Sequence, residues 1–280
     1  MADRLDGRPI GVFDSGVGGL TVLSELHRRL PGESTLYLGD NARTPYGPRP
    51  ADEVTRFTLE AADWLLAQDV KLLVLACNTA TAHALEAVRM RSTVPVIGVV
   101  RPGAVAASAA SRSTHIGVIA TAGTVESGAY LDAIVEAAPA TRVAQLACPE
   151  LVPMVEAGIL DGLRAESVLR AYLEPMLGAD PQIDTLLLGC THYPLLRAVI
   201  ERIVGERVAV VDSAFTTALA IEDLLDALGA RATPGVVAEH RVATTGDVEA
   251  FVAVARRLFG DRLPSVEAVA IERTSAVPLD

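Results

Sequence analysis

Lysine is nearly missing from this chain: Lys71 is the only one among 280 residues, and arginine supplies the rest of the positive charge. A nucleotide-binding loop of the Walker type needs a lysine directly after its glycines, so that loop is excluded. Pyridoxal phosphate is held as a Schiff base on a lysine. Lys71 opens a strand-like run whose functional end lies six residues on, at Cys77, which argues against a pyridoxal enzyme. Cysteine is scarce as well. Cys77, Cys148 and Cys190 are an odd three with no CxxC pair, which fits free thiols in a reducing compartment better than a disulfide framework. The five histidines are scattered, and only His192 lies near a cysteine. With no second ligand pair at zinc-site spacing, no metal is expected. A net charge of −11 leaves no basic surface for nucleic acid. No apolar run reaches membrane-spanning length, and the opening MADRLDGRPIGVFDSG lacks the basic-then-apolar pattern of a signal peptide. The chain is expected to be cytoplasmic, with no membrane partner.

What the chain does have is hydrophobic residues, half of the total, and a length that suits about two domains. Short apolar runs alternate with amphipathic stretches. Pro9–Asp14, Thr35–Gly39, Lys71–Ala76 and Val94–Val99 read as strands, with helices at Leu20–Leu30, Glu53–Gln68 and Thr79–Arg91. A second round starts near Arg101–Gly103. Strands at His115–Ala120, Thr141–Leu146 and Thr185–Gly189 alternate there with helices at Val125–Val135, Leu151–Gly158 and Ser167–Leu177. The remainder from Val208 carries a strand, the helix Thr216–Leu228, a strand at His240–Thr244 and the helix Val248–Phe259, and is expected to return to the first half. Strict alternation of strand and helix implies parallel sheets with helices on both faces. IGVFDSGVGG at Ile10 matches IGVIATAGTV at Ile116 in pattern, and VLACNTAT at Val74 matches LLGCTHYP at Leu187. The fold class is therefore α/β, with two similar doubly wound parallel-sheet domains facing each other across an active-site cleft. Residues 1–99 plus 210–280 form the first (Cys77 side), and residues 100–209 the second (Cys190 side).

The matched pairs place Cys77 and Cys190 at the carboxyl ends of strands, where open α/β sheets put their ligand sites. Pro194, just after His192, fits the first turn of a helix. One strand-end cysteine alone reads as a small buried hydrophobe. Two of them, each followed by hydroxyl or amide residues and each opening a helix, point to reactive thiols, because a helix N-terminus lowers a thiol pKa. His192 is close enough to Cys190 for a thiol–imidazole partnership, whereas Cys148, followed by Pro149, reads as structural. If the halves face each other, two thiols flank one carbon, which suits inversion of a stereocentre. Two other readings stay open on these residues. Ser15–Gly19 (SGVGG) could cradle a phosphate or equally a carboxylate, with Asp14 a plain helix cap. Cys190 and His192 alone could serve a thiol hydrolase.

The set FDSGVGGLTV, YLGDNARTPYG, LACNTATA, PVIGVV, ACPELVPMVE and LGCTHYPLL resembles the glutamate racemases of the cofactor-independent aspartate/glutamate racemase family, in the family's order from about Pro9 to Ala220. The resemblance implies interconversion of L- and D-glutamate without a cofactor, supplying D-glutamate for peptidoglycan, with an aspartate racemase as the neighbouring alternative. It implies Cys77 as the acid/base residue for D-glutamate and Cys190 for L-glutamate, assisted by Asp14, His192 and Glu156. Asp14, Ser15, Tyr46, Gly47, Asn78, Thr79, Thr121, Thr191 and His192 would hold the substrate. The family likeness further implies a homodimer and a peptidoglycan-precursor effector. Arg101 departs from the acidic residue of many relatives, which bears on the effector response or the hinge rather than on the chemistry.

Overall fold

A computed structural model describes residues 6–260 and 263–271. Its strands are β1 (Ile10–Asp14), β2 (Thr35–Gly39), β3 (Leu72–Leu75), β4 (Val96–Gly98), β5 (His115–Ala120), β6 (Arg142–Ala147), β7 (Thr185–Gly189), β8 (Ala209–Asp212), β9 (His240–Thr244) and β10 (Val266–Ala268). They form two sheets, in the orders β10-β9-β2-β1-β3-β4 and β6-β5-β7-β8. Every pairing is parallel. The run β2-β1-β3-β4 has the same connectivity as β6-β5-β7-β8, so the repeat seen in the letters is a repeat of topology. β1 and β5 are the interior strands that open each half, and β3 and β7 beside them each deliver a cysteine.

Alternation along the strands explains the layers, since successive side chains point to opposite faces. Ile10, Val12, Tyr37, Leu72, Val74 and Val242 face helices Leu20–Arg29, Ser213–Leu228 and Val248–Phe259. Phe13, Leu36, Leu38, Leu73, Leu75 and Ala243 face helices Ala51–Leu66 and Asn78–Arg91. In the second sheet Ile119, Leu186 and Leu188 pack on helix Gly162–Ala179 and its neighbours, while Ile116, Val118 and Leu187 pack on helices Val100–Ala110 and Ala129–Ala137. Each fully buried aliphatic side chain contributes about 1.5–3 kcal/mol, which holds the strand ends rigidly.

Several elements differ from the sequence expectation, among them helix Val125–Val135, which is two helices, Ala122–Glu126 and Ala129–Ala137, broken at Gly128. The stretch from Arg101 to Gly103, where the sequence predicts the start of a second round, lies in helix Val100–Ala110, which the sequence reading does not assign. Pro102 is tolerated there because a first-turn residue has no helical N–H bond to lose. β8 pairs with β7, Thr185 opposite Ala209 through Leu188 opposite Asp212, so residues 210–212 belong to the second sheet and not to the returning tail. The chain recrosses to the first half at Ser213, and β9 then adds beside β2. After Cys190 the chain makes a 3-10 turn at Tyr193–Leu196 before helix Arg197–Val204 begins, so Pro194 opens the turn rather than the helix proper.

Candidate active site

Cys77 follows the end of β3 and caps helix Asn78–Arg91, its sulfur accepting the Ala80 N–H at 3.4 Å. Cys190 directly follows the end of β7, and its carbonyl accepts the Tyr193 N–H at 3.1 Å. Both line one cavity of about 350 Å³ between the two halves, together with Ser15, Tyr46, Gly47, Asn78, Thr79, Thr121, Glu156, Thr191 and His192. Asp14 alone among the expected site residues stays off the wall: it is fully buried behind it. No lysine or arginine lines this cavity among the described residues. An anionic ligand there meets hydroxyls, amides and a helix N-terminus instead of guanidinium.

Around Cys77 the groups are neutral donors. Ser15 Oγ stands 3.4 Å from the thiol. Thr79 Oγ1 is 2.9 Å from Thr121 Oγ1 and 3.2 Å from Thr124 Oγ1, with Thr121 and Thr124 2.9 Å apart, a triangle of hydroxyls spanning both halves. Asn78 Oδ1 accepts from the Tyr130 phenol at 2.6 Å, while its Nδ2 is buried without a partner. A buried donor left unpaired is costly unless a ligand takes it. Around Cys190 the groups are charged. His192 Nδ1 lies 3.9 Å from Cys190 Sγ, and its Nε2 is 3.1 Å from Glu156 Oε1. Asp14 lies behind both thiols, its Oδ1 accepting the Gly16 N–H at 2.9 Å and its Oδ2 the Thr191 hydroxyl at 3.4 Å. Gly18 has to be glycine for a reason of space, since a Cβ there would stand 2.4 Å from Thr191 Oγ1 and 2.5 Å from His192 Nδ1.

The electrostatics set the two sides apart. Burial, with the Asp14 carboxylate beside it, pushes the Cys77 thiol up to about 12, and the bonds from Ser15 and Ala80 offset this only in part. The lowered pKa that a helix N-terminus alone predicts is therefore reversed here: desolvation outweighs the dipole. Burial acts to lower His192, but its hydrogen bonds with Cys190 and Glu156 and the charges of Cys190 and Asp14 overcome this and raise it to about 10. His192 is thus a cation at neutral pH, facing Cys190. Burial raises Asp14, with His192 and the Gly16 N–H pulling the other way.

Two sequence expectations change in detail. The Tyr46 hydroxyl donates to Asp40 Oδ2 instead of into the cavity, so Tyr46 offers the site its ring and backbone. Cys148, read as structural, lines the cavity, with its thiol pushed up to about 12 by burial. Sequence reasoning passes over Thr124, Tyr130 and Ser213. The TxxT spacing at Thr121 is a signal for the first, while Tyr130 in GAYLDA looks like any core aromatic. A larger groove, about 810 Å³, runs along helix Asn78–Arg91 from Thr81 to Arg89 and is lined also by Arg101 and Glu136. It contains no thiol, so chemistry belongs to the smaller cavity.

The sequence model of the Asp/Glu/Hydantoin racemase family matches residues 10–224. A glutamate racemase from Oceanobacillus iheyensis is 47% identical over 90% of this chain and 92% of its own length. The crystal structure of glutamate racemase isoform RacE1 from Bacillus anthracis superposes with a TM-score of 0.90 at 43% identity, covering 94% of this chain and 98% of that one. Glutamate racemase from Francisella tularensis in complex with D-glutamate superposes with a TM-score of 0.88 at 34% identity, covering 96% of this chain and 99% of that one.

Proposed function

The chain belongs to the Asp/Glu/Hydantoin racemase family and is an isomerase that racemises glutamate, and from that premise we propose how its cavity does so: by proton transfer between two thiols on opposite faces of the substrate α-carbon. The observation that carries the proposal is the shared cavity of Cys77 and Cys190, each at the end of a matching strand in a matching half. The likeness to glutamate racemases over nine-tenths of the chain favours glutamate over aspartate.

From L-glutamate, Cys190 removes the α-proton beside the His192 cation, and Cys77, held as a thiol by its burial, delivers a proton to the opposite face. From D-glutamate the roles exchange. The α-proton is weakly acidic, so the charge that develops on the substrate carboxylate needs preorganised donors in a site closed to water. Asn78 Nδ2, the hydroxyls of Thr79 and Thr121, and the N-terminus of helix Asn78–Arg91 are the donors we assign to it, with Thr191 lining the wall. Ser15, Tyr46 and Gly47 complete the substrate wall, and Asp14 and Glu156 act through their neighbours, the first by its field on Cys77 and the second by holding His192. No cofactor enters this scheme. Polarimetry of purified protein with each enantiomer, and with Cys77→Ser and Cys190→Ser variants, tests it. Loss of racemisation of roughly 10²–10⁴-fold in both variants is expected, and full activity in either one overturns the assignment.

We also infer that the product supplies peptidoglycan synthesis in the cytoplasm, a compartment that suits three free thiols. No helix among the described residues is long and apolar enough to cross a membrane. We further infer a homodimer, tested by sedimentation at working concentration. A peptidoglycan-precursor effector would meet Arg89 and Arg101 in the larger groove. Activation that Arg101→Glu alters without changing basal turnover tests this.

A further inference from the structure

Tyr130 lies on helix Ala129–Ala137 of the second half and is completely buried, yet its hydroxyl reaches Asn78 of the first half. Two contacts fix it. Its own proton goes to Asn78 Oδ1 at 2.6 Å. Its ring edge fills the space over Gly189, where a Cβ would lie 2.8 Å from Tyr130 Cε2. Gly189 is the residue before Cys190, and Asn78 is the residue after Cys77. One aromatic side chain therefore touches both thiol-bearing strand ends.

The direction of the hydrogen bonds matters. An amide has one acceptor and two donor hydrogens, and which way it faces is decided by its partners. The phenol has one proton, and it goes to Asn78 Oδ1. That leaves the NH2 as the free end of the Asn78 amide, on a residue that lines the cavity, and its buried Nδ2 has no protein partner. Burial raises the Tyr130 phenol further above its ordinary value, so it keeps that proton throughout the working pH range.

We propose that Tyr130 is a positioning residue for the racemase reaction: it fixes the Asn78 amide with its NH2 toward the substrate and holds the strand ends of Cys77 and Cys190 in register. The inference rests on the reading of this cavity as the racemase site. Without the phenol hydroxyl, Asn78 Oδ1 is left buried and unpaired, and the amide loses its preference between the two orientations.

Tyr130→Phe keeps the ring against Gly189 and removes only the hydroxyl. The expected result is a rise in KM for glutamate of about tenfold, with a smaller fall in kcat. Because Tyr130 acts through Asn78, the same substitution made in an Asn78→Ala background should change KM by less than about twofold. A role in folding alone would lower the melting temperature of Tyr130→Phe and leave the KM of the folded protein unchanged, which would overturn the proposal. So would an equal effect of Tyr130→Phe with and without Asn78. Failure of the underlying reading looks different, because Cys77→Ser or Cys190→Ser would then keep full activity.

Discussion

Cys77 and Cys190 face one cavity from unlike surroundings, one among hydroxyls and amides and the other beside a cationic imidazole held by a carboxylate. The two enantiomers of glutamate have equal free energy, so kcat/KM must be the same in both directions whatever the protein does. The asymmetry can appear only in kcat and KM separately, moving together. At the residue scale the sign of the pH effect follows from His192. Its pKa in the folded protein, about 10, lies above the ordinary 6.5. The stabilisation it contributes is fully present below about 6.5 and is lost as pH rises through about 10. Turnover of L-glutamate should fall over the same alkaline range. Glu156→Gln removes the negative partner 3.1 Å from His192 Nε2, so the alkaline limb of the kcat profile should move to lower pH. An unshifted limb would show that Glu156 does not hold the imidazolium.

At the scale of elements, the loop between β2 and helix Ala51–Leu66 supplies Tyr46 and Gly47 to the cavity and is held from behind. Asp40, fully buried, accepts from the Tyr46 phenol, from Arg43 Nε at 2.6 Å and from Thr245 Oγ1 at 2.6 Å. Arg43 in turn pairs with Glu60 and lies 4.2 Å over the Phe57 ring. Asp40→Ala leaves these donors buried without an acceptor. It should cost about 1–3 kcal/mol in denaturant unfolding, with KM for glutamate rising as the loop loosens. On the opposite wall, Gly18→Ala would drive a methyl into Thr191 and His192. It should lower kcat by at least about tenfold, with the first half still folded by circular dichroism.

Strands buried at every residue are plain in the letters. Leu186–Leu188 and Leu73–Leu75 are apolar throughout because both faces of their sheets are covered, and the small polar residues after them mark the strand ends. That puts the two thiols at corresponding positions of the two halves. Helix Val100–Ala110 is hidden because Pro102 and Gly103 imitate a turn. A Cβ at Gly103 would stand in close contact with Ser213 Cβ, at 3.3 Å, and at ordinary contact distance, 3.5 Å, from Tyr130 Oη. The direction of the thiol pKa escapes the letters for a related reason: a sequence shows a helix start, but not the depth at which the sulfur is buried. Tyr130 meets Asn78, and Asp40 meets Thr245, across long stretches of chain, and no local pattern announces such contacts.

At the scale of the whole molecule, the halves are fastened on both sides of the cavity. Gly123 donates its N–H to Gly47 O at 2.8 Å and its carbonyl accepts from His83 Nε2 at 3.0 Å. On the other wall Thr21 Oγ1 donates to Thr191 O at 3.1 Å. Far from the cavity, at the amino ends of the strands, His27 and His240 stack at 3.9 Å with Thr35 Oγ1 between them, 2.9 Å from His27 Nε2 and 3.0 Å from His240 Nδ1. Burial, then the charge of His240, lowers His27 to about 4. This sign is opposite to that of His192: the stability is present above the ordinary 6.5 and is lost as pH falls through about 4. Melting temperature should therefore decline between those values, and His240→Gln should flatten that decline. An unchanged acid slope in the variant would remove the pair from the account.

The central claim is that two thiols act from opposite faces, and early-time racemisation of L-glutamate in D2O tests it most directly. Mass spectrometry of each enantiomer during the first few per cent of conversion reads the outcome. The account predicts D-glutamate carrying deuterium at Cα while the remaining L-glutamate still carries protium, since one thiol takes the proton and the other supplies the solvent-derived deuteron. Protium retained in the product would mean that a single group carries the proton across, and would contradict the account.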